Sequence, residues 1–317
     1  MGIAGQRHGV YASTKQQPVD DAAAAQAAQS ARFAGGNQVI SEYNEVMKIW
    51  YQSMTKVSAW PAYNVALSEV ISSVCDAGTE FEVHGIEGTG GVGDQYRYLE
   101  FIETQEVLAN VERATREGFD AFLIGNISDP GLREAREITD MPVLGLGETS
   151  GHFASLMAGN FALVTGSPKH VPRITENFRR YGHTHTLHSA RSMQMVRLVD
   201  LDEGFSDSGV GLTLINNFFA QCEAAAAEGA EAIVPAVGVL MVLLARAGIH
   251  TTPSGLPLVN GVKALVKMGE TAVRLRATMG GVWTSRRCTY QQPPAGLLAE
   301  IRHHYGPVFS TLPDPKP

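Results

Sequence analysis

The sequence predicts an α/β protein of two parallel-sheet lobes, related by a pseudo-dyad and facing each other across a cleft. Three observations carry this. Strand and helix signals alternate along residues 48–276, the order that parallel sheets with crossover helices require. Short runs such as Ala-Phe-Leu-Ile at 121–124 are apolar throughout, as a strand covered by helices on both faces must be. An internal repeat relates Gly-Phe-Asp-Ala-Phe-Leu-Ile-Gly at 118–125 to Gly-Ala-Glu-Ala-Ile-Val-Pro-Ala at 229–236, a separation of 229 − 118 = 111 residues. Each copy is followed by Pro, an apolar strand and Gly, at 142–147 and at 257–261.

The elements follow in order. Residues 48–53 are aromatic and apolar, a short strand, and 63–75 place Val65, Leu67, Val70, Ile71 and Val74 at helical spacing. Residues 80–86 alternate as a strand, 104–117 read as a helix and 121–124 as the next strand. Pro130 and Gly131 open a short charged helix at 132–138, before a strand at 143–146 and a helix at 149–157. The second half repeats the order: strand 161–164, helix 171–181, strand 184–188, helix 212–228, strand 232–234, helix 239–247, strand 256–259 and helix 262–276. The expected domains are a first lobe over 45–158, completed by a helix near 260–280, and a second lobe over 159–259. A flexible arm at 1–44 and a tail at 281–317 flank them. The helix at 239–247 is apolar most of the way round, so it is expected inside a lobe or at a subunit contact.

Composition narrows the function. The 317 residues are 44% hydrophobic and 18% charged, enough apolar weight for a sizeable core. Lys plus Arg is 25 against 32 Asp plus Glu, a net charge of −7 with no basic stripe, which argues against nucleic-acid binding. Cys75, Cys222 and Cys288 stand far apart without a CxxC pair, so neither a disulfide framework nor a cysteine-rich zinc site is expected. No apolar run approaches the roughly 20 residues that span a bilayer, and no signal-peptide pattern opens the chain. A cytoplasmic protein without membrane contact is expected. Open parallel sheets bind ligands beyond the carboxyl ends of their strands, so residues just after strands are the candidates.

Residues 124–132 (Ile-Gly-Asn-Ile-Ser-Asp-Pro-Gly-Leu), the run 142–152, and Phe-Ala-Leu-Val-Thr-Gly at 161–166 followed by Pro172 together resemble the aspartate/glutamate/hydantoin racemase superfamily. The resemblance covers about residues 48–276. It implies two Rossmann-like lobes, a small-molecule substrate in the cleft, proton chemistry without a cofactor or metal, and a homo-oligomer. It also implies one cysteine after the third strand of each lobe, the two thiols acting from opposite faces of the substrate. Here those positions hold Asn126 and Val237, neither of which can accept and return a proton. The two-thiol mechanism is therefore not expected.

Other side chains are left to carry the chemistry. Glu148 and His152 lie four apart on a helix, within reach of each other on one face, and form the candidate acid–base pair. The alternative is that Glu148 caps the helix and His152 packs. Asn126, with Ile127 and Ser128, is expected to bind a substrate carbonyl or carboxylate, and Thr165, Gly166 and Ser167 to form the matching turn of the second lobe. Ser53 and Thr55, Val237, and Glu87 as a second acid or base complete the set. His183 and His185 share one face of the expected 184–188 strand region and are read as solvated. Two functions compete: a hydrolase, lyase or single-base isomerase acting on a small carboxylate or cyclic amide, and a catalytically silent binding protein.

Overall fold

The computed structural model describes residues 46–92 and 96–313; the arm expected at 1–44 lies outside them. Among the described residues, seven strands form two parallel sheets. The first holds β1 (Met47–Gln52), β2 (Thr79–His84), β3 (Ala121–Ile124) and β4 (Val143–Gly145), in the order β2-β1-β3-β4. The second holds β5 (Phe161–Thr165), β6 (Leu187–Ser192) and β7 (Ile233–Pro235), in the order β6-β5-β7. Their crossovers contain α1 (Pro61–Ser72), α2 (Arg97–Arg116), α3 (Leu132–Ile138), α4 (Leu146–Met157), α5 (Val171–Arg180) and α6 (Ser208–Ala227). After β7 come α7 (Gly238–Arg246), α8 (Gly261–Thr278) and α9 (Ala295–Tyr305).

Burial on both faces explains the apolar runs. On β1, Ile49 and Tyr51 enter one core cluster while Trp50, between them, enters the other. β3 divides in the same way, with Ala121 and Leu123 on one side and Phe122 and Ile124 on the other. The first cluster continues through Phe161, Leu163 and Val234 of the second sheet, so one apolar core joins the lobes. Trp50 stacks on His84 at 3.4 Å between ring centroids, with the Arg113 guanidinium 5.2 Å from its own ring. Helix α8 packs on α4 and β3, covering the first sheet.

Several expectations change. The strand expected at 184–188 begins at Leu187, and residues 183–186 form turns instead. His183 is therefore a buried side chain packed on Phe161 and Phe178, not part of a solvated strand face. The strand expected at 256–259 contributes only isolated bridges, Ile233 to Leu258 and Thr251 to Pro257. A 3-10 helix at Leu198–Phe205 has no counterpart in the sequence reading. Val239 to Leu244 are all buried within the chain itself, so α7 supplies no argument for a subunit contact. The tail is fastened to the first lobe: Arg286 pairs with Asp140, and the Ser310 hydroxyl donates to Glu112 at 2.9 Å. No helix among the described residues is long and apolar enough to cross a membrane.

Candidate active site

A cavity opens where the strand ends of the two sheets meet. Ser53, Met54 and Thr55 reach it from the end of β1, and Gly125, Asn126 and Ile127 from the end of β3. Val237, Gly238 and Val239 enter from the β7–α7 junction, and Trp60 and Tyr63 from the start of α1. His170 and Leu198 complete the wall. Ser53, Thr55, Asn126, Ile127 and Val237 are thus brought together as the strand-end rule requires. Asn126 and Val237, the two positions where the resemblance places cysteines, line this single cavity from different sheets. The three cysteines lie elsewhere: Cys75 is half-buried, Cys288 exposed, and Cys222 buried with its thiol pushed up by desolvation.

The polar groups have fixed directions. Asn126 accepts the Ser128 backbone N–H on Oδ1 at 2.8 Å, an Asx turn, and its Nδ2 has no partner among the described residues. That amide nitrogen is left to donate into the cavity. The Ser53 and Thr55 hydroxyls are 2.8 Å apart, and Thr55 donates to Asn64 Oδ1 at 3.3 Å. Asn64 is itself oriented by donating from Nδ2 to the Trp60 carbonyl at 2.7 Å. An amide oxygen only accepts, so Thr55 directs its proton to Asn64 and Ser53 directs its own to Thr55. Ser53 Oγ also accepts the Thr55 backbone N–H at 3.3 Å and is hydrogen-bonded to the Tyr63 side chain, so the lone pair left for a ligand N–H is on Thr55. Among the described residues, no Lys, Arg, Asp or Glu lines the cavity.

His170 was not a candidate in the sequence reading. It follows β5 by five residues and is buried, with Nε2 2.7 Å from Ser128 Oγ and Nδ1 3.1 Å from Thr165 Oγ1. Burial, with Arg173 nearby, pushes its imidazole down to about 4, so it is neutral at neutral pH. Both ring nitrogens are engaged by hydroxyls, leaving no free lone pair for a substrate proton. Ser128 and Thr165 therefore act behind the wall, as anchors of His170. The Ser128 carbonyl also accepts from Asn177 Nδ2 at 2.6 Å, which ties the β3 turn to α5 of the second lobe. Ser167 is buried and Gly166 packs against Leu198; neither lines the cavity.

The acid–base pair expected at Glu148 and His152 does not form. Arg136 takes the Glu148 carboxylate on both oxygens, at 3.1 and 2.5 Å, because α3 packs against the β4 end where α4 begins. His152 is exposed, with its ring edge-on to His183, and neither residue lines the cavity. The carboxylate that caps α4 is Asp129, which accepts from Gly147 N and Glu148 N, both at 2.8 Å. Glu87 is exposed on the loop after β2, where its backbone N–H donates to Glu106. Glu148→Gln should therefore cost about 1–2 kcal/mol of stability, the range between exposed and buried pairs, while His152→Ala stays within about 0.5 kcal/mol. Urea midpoints of the two variants check this ordering.

A two-lobed α/β cleft protein with polar groups at its strand ends is what this geometry defines. The profile of the Asp/Glu/Hydantoin racemase family matches residues 80–269, and the chain belongs to that family. It is 31% identical over 202 residues to a hydantoin racemase of Pseudomonas sp. (strain NS671), covering 62% of this chain and 73% of that protein. It is 32% identical over 192 residues to a hydantoin racemase of Rhizobium meliloti, covering 59% of this chain and 72% of that one. The structure of allantoin racemase from Klebsiella pneumoniae superposes with a TM-score of 0.64 at 24% identity, over 78% of this chain and 94% of that one, a likeness of fold.

Proposed function

We propose that the cavity takes a small, neutral cyclic amide of the hydantoin type and that the chain acts on it without a cofactor and without a thiol pair. The observation that carries this is the wall itself. It offers an amide donor at Asn126 for a ring carbonyl and a hydroxyl lone pair at Thr55 for a ring N–H. Among the described residues, no lysine or arginine waits there for a carboxylate. The hydantoin racemases and the allantoin racemase to which the chain is similar support the ring chemistry. Carbonyl polarisation from Asn126 on one side is compatible with ring opening, elimination or single-base isomerisation.

A second reading, a silent binding protein, is favoured by one observation: His170, the imidazole on the cavity wall, has both nitrogens occupied. One experiment separates them. Each enantiomer of a 5-substituted hydantoin is incubated with the protein in D2O and followed by proton NMR and optical rotation. Ring opening or exchange of the ring proton above a protein-free blank supports the enzyme, with Asn126→Ala acting mostly on KM through one hydrogen bond worth about 0.5–1.5 kcal/mol. Saturable binding without turnover supports the silent reading. Absence of binding to hydantoins would falsify both.

A further inference from the structure

Of the described residues that line the cavity, all are buried except Asn126, Leu198 and Gly238, which are half-buried and so border its mouth. Asn126 is held by its Asx turn and Gly238 has no side chain, so Leu198 is the side chain that decides how far the mouth opens. It comes from the 3-10 helix, an element that both lobes hold in place. The segment leading into that helix is bonded to the end of β5: Met193 N donates to the Thr165 carbonyl and Met195 N to the Gly166 carbonyl, both at 2.8 Å. Further on, Asp202 accepts the Tyr63 backbone N–H at 2.8 Å, in the first turn of α1. Behind the leucine, a Cβ on Gly166 would collide with Leu198 Cδ2, so glycine at 166 lets the side chain lie against the strand end. The space within is about 50 Å³, several times what one water needs. That suits a small ring, not a ring with a bulky group beside it.

We propose that Leu198 is a specificity-determining residue: it admits a cyclic amide with hydrogen or methyl at carbon 5 and turns away one with a benzyl group. This deepens the cyclic-amide reading given above and rests on it. A flat ring held at Asn126 and Thr55 fills the space, so a larger substituent must displace part of the wall. Met54, Trp60, Val237 and Val239 are buried on strand ends and helix starts, where close packing leaves them no room to yield. The half-buried leucine is the group such a substituent meets at the mouth. Discrimination of this kind is steep, since one methylene in a close-fitting pocket is worth about 10–200-fold.

The test is calorimetric titration of hydantoin, 5-methylhydantoin and 5-benzylhydantoin into the parent and into Leu198→Ala, with Leu198→Val in its place if alanine unfolds the chain. The parent should bind the benzyl compound at least about tenfold more weakly than the other two. The variant should narrow that gap to about threefold or less by binding the benzyl compound more tightly. A parent that binds the benzyl compound as well as hydantoin overturns the proposal. So does a variant that keeps the gap, or closes it by losing the small rings. A parent that binds none of the three sinks the cyclic-amide reading instead, and the gate is then decided without a ligand. In a Val237→Cys background, methyl and benzyl methanethiosulfonate are compared for their rates at position 237, with the exposed Cys288 as the reference thiol. The benzyl reagent should lag by about tenfold with Leu198 in place and by about threefold or less with Leu198→Ala. An equal lag in both removes the gate.

Discussion

A chain carrying Asn126→Cys together with Val237→Cys should exchange the ring proton of a 5-substituted hydantoin at least about 10²-fold faster than the parent, the lower end for positioned acid–base groups. That factor corresponds to about 2.7 kcal/mol of barrier. The expectation follows from where the two side chains stand. Both line one cavity, Asn126 at the end of β3 and Val237 at the junction with α7, so thiols there approach a ligand from the two lobes. Val237 is the N-cap of α7, where the helix N-terminus favours a thiolate. The cost in the fold is small: Asn126→Cys gives up the 2.8 Å bond from Ser128 N, about 0.5–1.5 kcal/mol, and Val237→Cys nearly conserves volume. Each single variant should exchange only the enantiomer whose ring proton faces its thiol, with configuration retained, because one thiol can take and return a proton on its own face while inversion needs a donor on the other. Exchange in D2O by NMR and optical rotation on both enantiomers decide it. A double variant that exchanges without racemising means that the two positions do not face one ligand.

The strand-end residues were legible because a rule of topology, not of local sequence, places them. Parallel strands expose their carboxyl ends on one edge, so Ser53, Thr55, Asn126, Ile127 and Val237 converge whatever the helices do. The two-sheet architecture was legible for a similar reason, since apolar runs such as Ala121–Ile124 fit only a strand covered on both faces. Where a partner comes from a different element, the sequence was silent. Glu148 and His152 share a helical face at i, i+4, yet the carboxylate goes to Arg136 on α3, and spacing alone carries no trace of that competitor. His170 lies off the strand ends, and its role depends on hydroxyls at Ser128 and Thr165, one of them 42 residues away.

The shift of β6 shows how tertiary pairing overrides local pattern. Thr-His-Thr-Leu-His at 184–188 alternates well, while Ser-Ala-Arg-Ser at 189–192 carries little β-propensity. The register is set from β5, whose Phe161 pairs with Leu187 and whose Thr165 pairs with Ser192. Gly182, at φ +96°, turns the chain out of α5. His183 then falls into the core between Phe161 and Phe178.

Asp129→Asn and His170→Gln should reveal opposite pH dependences of stability in two groups that meet at the same turn. Asp129 is buried, accepting from Gly147 N, Glu148 N and Tyr181 Oη, all at 2.8 Å, yet desolvation outweighs these donors and raises its carboxyl to about 7. Its folded value lies above the unfolded value of about 3.9, so the folded state binds the proton more tightly. The stability it contributes is fully present below about pH 4 and is lost as pH rises to about 7. His170 runs the other way. Its folded value of about 4 lies below the unfolded value of about 6.5, so its contribution is present above pH 6.5 and is lost on acidification toward 4. Exposed carboxylates are common to all three proteins, so the informative quantity is the difference between parent and variant. That difference should fall between about pH 4 and 7 for Asp129→Asn and rise over about pH 4 to 6.5 for His170→Gln. Above about pH 7, where Asp129 is ionised, Asp129→Asn should also lose about 1–3 kcal/mol, because an amide presents one acceptor where the carboxylate has two and turns an N–H toward a backbone donor. Urea unfolding of the three proteins at half-unit pH steps supplies the curves. Parallel curves for parent and both variants would mean that neither group titrates between its folded and unfolded values, and that desolvation at the β3 turn is weaker than the burial of Asp129 and His170 implies.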